Sequence, residues 1–234
     1  MCGRINVSDH PGVQILMDYL DLPIYPDNFT PRFNIAPGAT LYAAFVNNNT
    51  PETAQMQWGI IPAWAKPDKF DKPLINARAE TVWDKPSFRN LIKSQRVIIP
   101  INGFYEWRRE DKQKTPFYIH AKQQNAMALA GLYQISKQGE LECCVVTTSA
   151  NQFMNKVHHR MPVILTPEAM KDWLLSKDQS CLNALMNPCD ENFLQLNQVS
   201  AYVNNAANEG EKCVETINDV EETPANLQHG LEFK

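Results

Sequence analysis

The chain has 234 residues and a mass of 26.7 kDa, enough for one large domain with a hydrophobic core. Apolar residues make up 44% and charged residues 21%, which excludes a chain disordered throughout. The net charge of −4 argues against a basic nucleic-acid coat protein; residues 208–234 hold seven acids and two bases, leaving residues 1–207 at +1 and able to carry a local basic cleft.

Taken in chain order, Val13–Leu20 reads as a short helix that stops before Pro23 and Pro26. Thr40–Val46 and Thr53–Trp58 read as strands joined by a turn at Asn47–Asn49. Pro62, Pro67 and Pro73 make Gly59–Leu74 a loop, with Trp64 and Phe70 on it. Ser87–Lys93 follows Pro86 as a helix candidate. Five strand-like runs come next: Arg96–Pro100, Phe104–Arg109, Pro116–Ala121, Met127–Tyr133 and Glu142–Thr148. Ala150–His158 reads as a helix and Pro162–Leu165 as a short strand. Thr166, Pro167 and Glu168 start a helix that runs to Leu175. Leu182–Met186 reads as another helix and Val199–Val203 as a last strand.

Strands outnumber helices, short turns join them, and no GxGxxG or P-loop motif is present. The expected class is α+β: a single domain with a curved, barrel-like mixed β-sheet core and a few flanking helices. No apolar run approaches the length of a transmembrane helix. The opening MCGRINVSDH lacks the apolar stretch of an export signal. A cytoplasmic or nucleoid-associated location is the expectation.

The six cysteines form no CxxC pair and no zinc spacing, and no metal or organic cofactor is implied. Cys143 and Cys144, in ECCVVTT, read as strand packing. Cys2 differs by position. Loss of Met1 would leave it as a terminal 1,2-aminothiol, whose amine and thiol have reference pKa values of about 7.7–8.0 and about 8.5. Such a group acts as an N-terminal nucleophile, or traps an aldehyde as an imine that closes to a thiazolidine. Position alone leaves an incidental cysteine the commoner reading. Glu106 lies between aromatic residues in FYEW, and burial there would suit a carboxyl to general acid work. Asn76 opens NARAE, and His158 falls in VHHRMPV beside His159; a solvent-facing glutamate and a structural histidine remain open alternatives.

Several blocks in order give the chain a strong resemblance to the SRAP family, the SOS-response-associated peptidase-like proteins. They are CGR at 2–4, FNIAP at 33–37, WGIIPAW at 58–64, INARAET at 75–81, RVIIPINGFYEW at 96–107, TTSAN at 147–151, HHRMPVIL at 158–165 and VSAYVNN at 199–205. The resemblance spans residues 2–220, leaving 221–234 as an acidic C-terminal tail. It implies sensing of abasic sites in single-stranded DNA and a covalent crosslink through Cys2 after Met1 is removed. It assigns Asn76, Glu106 and His158 to the active site, with His159 as the spare. It places Arg4, Arg78 and Arg160 along the DNA cleft, and Arg89, Trp64 and Pro37 complete the expected DNA-contacting set. In the base-wedging region Ala65 follows Trp64 where some relatives have a second aromatic residue, and Phe70 is the candidate replacement.

The implied partner is single-stranded DNA containing an abasic site, together with replication-fork proteins as candidates for the tail; a membrane partner is not expected, and a monomer is the simplest state. Two other functions compete. One is a cysteine peptidase or autoprocessing protein using Cys2, Glu106 and His158. The other is a non-covalent single-stranded DNA-binding module.

Overall fold

The computed structural model describes residues 2–22, 29–48, 50–65, 72–111, 113–124 and 126–217. The thirteen strands of the described residues are β1 Ile5–Val7, β2 Arg32–Ile35, β3 Thr40–Asn47, β4 Thr50–Trp58, β5 Asn76–Arg78, β6 Arg96–Ile101, β7 Gly103–Glu110, β8 Gln113–Ala121, β9 Met127–Ile135, β10 Leu141–Ser149, β11 Arg160–Pro162, β12 Ile164–Leu165 and β13 Leu194–Gln198. Four short helices flank them: α1 His10–Asp18, α2 Leu91–Ser94, α3 Pro167–Leu175 and α4 Gln179–Leu185.

Two sheets carry the strands. One has five strands in the order β13-β8-β7-β1-β2. The other has eight, in the order β11-β10-β4-β3-β6-β9-β12, with β5 alongside β10. Because β10 pairs with both β9 and β4, the strands β10, β4, β3, β6 and β9 close into a ring. This is the expected α+β architecture with a barrel-like core. All six residues of β6 are buried, as a strand covered on both faces requires. Two glycines permit the closure. A Cβ on Gly131 would lie 2.8 Å from both the Cys144 oxygen and Val97 Cγ2. Gly59 takes a φ of +138°, open to glycine at little cost, and its N–H donates to the Cys143 carbonyl at 2.8 Å, where β4 meets β10.

The main core fills the ring and the space between the sheets, and includes Cys2, Ile5, Ile99, Ile101 and Phe104. Arg96, buried at the start of β6, donates to the carbonyls of Trp173, Leu174 and Ser176 at the C-terminal end of α3 and to that of Ile92 in α2. A cation at that end also complements the helix dipole. Thr166 Oγ1 caps α3 by accepting from the Ala169 N–H at 3.3 Å, with Pro167 at the first helical position.

Several elements differ from expectation. The first helix starts at His10, with Pro11 at its N-terminus. Ser87–Lys93 is mostly turns, and its helix is only Leu91–Ser94. The helix expected over Ala150–His158 is a single 3-10 turn, Met154–Lys156, because Asn151 Oδ1 accepts from the Met154 N–H at 2.8 Å and fixes a local turn. Val199–Val203 is not a strand. The strand lies earlier, at Leu194–Gln198; Val199 makes one bridge to Thr216, and Ser200 caps a 3-10 turn over Ala201–Asn204. Phe70 and the acidic tail 221–234 lie outside the described residues.

Candidate active site

The four residues singled out by sequence come from both sheets. Cys2 precedes β1 and is fully buried. β1 pairs antiparallel with β7 in the register Ile5 to Phe104, and the Tyr105 N–H donates to the Arg4 carbonyl at 2.9 Å. This ladder lays the start of the chain along Glu106, which is 4% exposed. From the other sheet come Asn76, opening β5, and His158, two residues before β11. β5 runs parallel to β10 with Asn76 opposite Val145, and β11 runs antiparallel to it with Arg160 opposite Ser149. Strand β10 therefore positions both groups.

Asn76 Nδ2 donates to the Cys2 carbonyl at 3.0 Å. Its Oδ1 is buried and has no hydrogen-bond partner among the described residues. The side chain thus fixes the Cys2 backbone and keeps a second polar atom at the same place. The Cys2 thiol is pushed far above its usual range by burial, and the Glu106 charge adds to the effect. It is a neutral thiol at neutral pH. Burial also lowers the His158 pKa, while the Glu106 charge pulls it back up. Glu106 therefore acts electrostatically on both of the other reactive groups.

His158 Nδ1 lies 3.0 Å from the Arg160 N–H and 3.2 Å from the Arg160 carbonyl. In the neutral ring Nδ1 accepts from that N–H, which leaves the ring proton on Nε2. In the imidazolium, Nδ1 donates to the carbonyl. One residue's backbone thus serves both protonation states, as a group that passes a proton back and forth needs. His159 stacks on this ring, with centroids 4.4 Å apart.

The expected cations divide into two kinds. Arg78 shares a face of β5 with Asn76 by strand alternation and is exposed. Arg89 and Pro37 are also exposed. Arg160 is held inside the fold: its guanidinium donates to Glu80 at 2.7 Å and to the Thr147 carbonyl at 2.6 Å. Arg4 likewise donates to Asn34 Oδ1 at 2.7 Å and the Val203 carbonyl at 2.9 Å, and lies over the Trp107 ring. Trp107 Nε1 donates to Asn204 Oδ1 at 2.6 Å, a packed position. Trp64 is 61% exposed in a turn closed by the Ala65 N–H donating to Pro62 at 2.8 Å.

Sequence reasoning missed the support of that turn. Glu142 Oε2 accepts from the Ile61 N–H at 3.0 Å and from Gln134 Nε2 at 2.8 Å, while Gln134 Nε2 also donates to the Ile61 carbonyl at 2.6 Å. An acid in the apolar run LECCVV is the signal that marks it. The six cysteines are free thiols, and no cluster of three or more metal-ligating side chains occurs among the described residues. Two cavities, of about 260 and 580 Å³, have none of the four site residues in their walls.

Known proteins are similar to this chain in fold and in sequence. The family model of the SOS response associated peptidases (SRAP) matches residues 1–206. The chain belongs to that family. A Bacillus subtilis relative named "Abasic site processing protein YoqW" is 37% identical over 92% of this chain and 100% of its own length. Escherichia coli YedK, named in the same way, is 30% identical over 93% of this chain and all of itself. The Xenopus tropicalis protein HMCES, with the same description, is 30% identical over 70% of this chain and 57% of its own. Among solved structures, a protein from Bacteroides thetaiotaomicron superposes with a TM-score of 0.79 at 25% identity, covering 93% of this SRAP chain and 100% of that one.

Proposed function

We propose that this SRAP protein processes abasic sites in single-stranded DNA by trapping them covalently on Cys2. The observation that carries the reading is the Asn76 hold on the Cys2 backbone with Glu106 and His158 gathered beside it. The names of its relatives, abasic site processing proteins, support abasic sites as the target.

Removal of Met1 frees the Cys2 amine. The Glu106 carboxylate takes the proton of the C1′ hydroxyl and passes it to the sugar ring oxygen as the bond from C1′ to that oxygen breaks, opening the ring to its aldehyde. The amine attacks C1′, and loss of one water leaves an imine. The thiol sulfur then adds to that carbon while its proton moves to the imine nitrogen, closing a thiazolidine. His158, neutral because burial lowers its pKa, is the base that carries the thiol proton. Asn76 holds the attacking residue in place, removing the entropy of an encounter. A single strand suits this chemistry, since no base must be flipped out of a duplex.

Intact mass decides the question. Protein lacking Met1 is mixed with single-stranded DNA bearing one abasic site. The expected product survives denaturation at the summed mass less one water, and is absent with Cys2→Ala or with DNA carrying uracil at that position. Glu106→Gln should slow its formation by about 10²–10⁴-fold. Absence of the adduct from protein confirmed to have lost Met1 would sink the proposal.

A further inference from the structure

We infer that the Arg108 guanidinium is a phosphate-binding group of the same site, with Glu110 as the counter-ion that a DNA phosphate displaces. This rests on the reading above and adds to it a named contact for the strand.

Alternation puts Glu106, Arg108 and Glu110 on one face of β7. Two residues of strand advance about 6.6–6.8 Å, so Arg108 stands one step along from the Glu106 carboxyl. Phe117 lies directly opposite Glu106 in the β7–β8 register. The Arg108 Cζ sits 5.0 Å from the centroid of that ring. One aromatic side chain thus adjoins both the carboxyl and the guanidinium. Exposure rises along the same face: Glu106 is 4% exposed, the Arg108 side chain 37% and the Glu110 side chain 66%. The buried acid is followed by a half-open cation and then by an acid at the rim.

The bonding of Arg108 differs from that of the other arginines beside the site. Arg4 and Arg160 donate to carbonyls and side chains inside the fold. The buried Arg108 Nε lies 3.0 Å from Glu110 Oε1 as an ion pair without a hydrogen bond, and the two terminal nitrogens make no hydrogen bond among the described residues. Exposed ion pairs of this kind contribute little to stability and are screened by salt. A phosphate takes two parallel N–H bonds from a guanidinium. The Phe117 ring already packs against that guanidinium, so less freedom is lost on binding. The ligand class is a phosphodiester of the strand that carries the reacting sugar.

Binding is measured with a single-stranded oligonucleotide bearing a tetrahydrofuran abasic analogue, which has no aldehyde and forms no crosslink. Arg108→Gln should weaken it by about tenfold and lower the slope of log K against log salt by about 0.7. Arg108→Lys should keep the slope and lose part of the affinity. Glu110→Gln should tighten binding by about two- to fivefold, and the double variant should match Arg108→Gln alone. A purely structural Arg108 gives no tightening in Glu110→Gln; that result, or unchanged binding in a folded Arg108→Gln, overturns the inference. Parent protein that binds in this graded way yet forms no adduct with a true abasic site upholds the phosphate contact and removes the covalent reading.

Discussion

A histidine between two protonation states is the group whose behaviour is easiest to read out. Burial disfavours the His158 imidazolium, and Glu106 only partly offsets that. The native ring therefore binds fewer protons than the unfolded one as pH falls through the ordinary histidine range. The stability this group contributes is complete above the unfolded pKa of about 6.5 and is lost as pH falls through the lower native value. If the neutral ring is the base for the thiol proton, adduct formation declines over the same acidic window. Protonation of the Cys2 amine, with a reference pKa of about 7.7–8.0, already slows the reaction below pH 8; His158 should steepen the fall on the acid side, and His158→Gln should give a slower profile without that added steepness. Rates measured between about pH 5 and 8 test it; a parent profile no steeper than that of His158→Gln would take His158 out of the proton path. Glu106 was legible in sequence because an acid among aromatic residues must be accommodated. The role of Asn76 was not: an asparagine opening a three-residue strand does not announce that its partner is a carbonyl 74 positions earlier.

At the scale of elements, the Gln134–Glu142 pair fixes the base of the Trp64 turn. Both residues are 7% exposed, and together they satisfy the N–H and the carbonyl of Ile61. Glu142→Ala leaves the Ile61 N–H without its acceptor and Gln134 with only the Ile61 carbonyl, and should cost about 1–3 kcal/mol, read as a lower urea midpoint. Glu142→Gln, which keeps the shape and one acceptor oxygen, should cost less. Equal midpoints for Glu142→Ala and the parent would remove the clamp. The strands β6, β9 and β10 were legible because burial on both faces sets their apolar content. Short strands were not. Ile5–Val7 and Asn76–Arg78 have three residues each, too few for a period to show, and exist because longer neighbours pair with them. Val199–Val203 has the apolar spacing of a strand, but the Ser200 hydroxyl accepts from the Tyr202 N–H at 3.1 Å and turns the backbone into a 3-10 turn. There, as at Asn151 in Ala150–His158, a local side-chain cap overrode the pattern.

The whole molecule ties its last described stretch to its first. Asn34, 1% exposed on β2, donates from Nδ2 to the Asn205 and Asn208 carbonyls at 2.9 Å each, and its Oδ1 accepts from Arg4 at 2.7 Å. Arg4 reaches the Val203 carbonyl as well, and Glu209 accepts from the Phe33 N–H at 2.7 Å. The wrap formed by residues 199–217 thus holds the side chain of a residue two places after Cys2. Asn34→Asp changes one group but replaces the Nδ2 donor with an oxygen facing those carbonyls. That buried acceptor-against-acceptor contact should cost about 3 kcal/mol, and the Cys2 end should lose its fixed position along Glu106. The expected result is a lowered urea midpoint and slower adduct formation, even at temperatures where the variant stays folded. Asn34→Ala, which removes the donor without adding a charge, should fall between parent and Asn34→Asp in both measurements. A folded Asn34→Asp that crosslinks at the parent rate would show that Asn76 and the β1–β7 ladder place Cys2 without help from the far end of the chain.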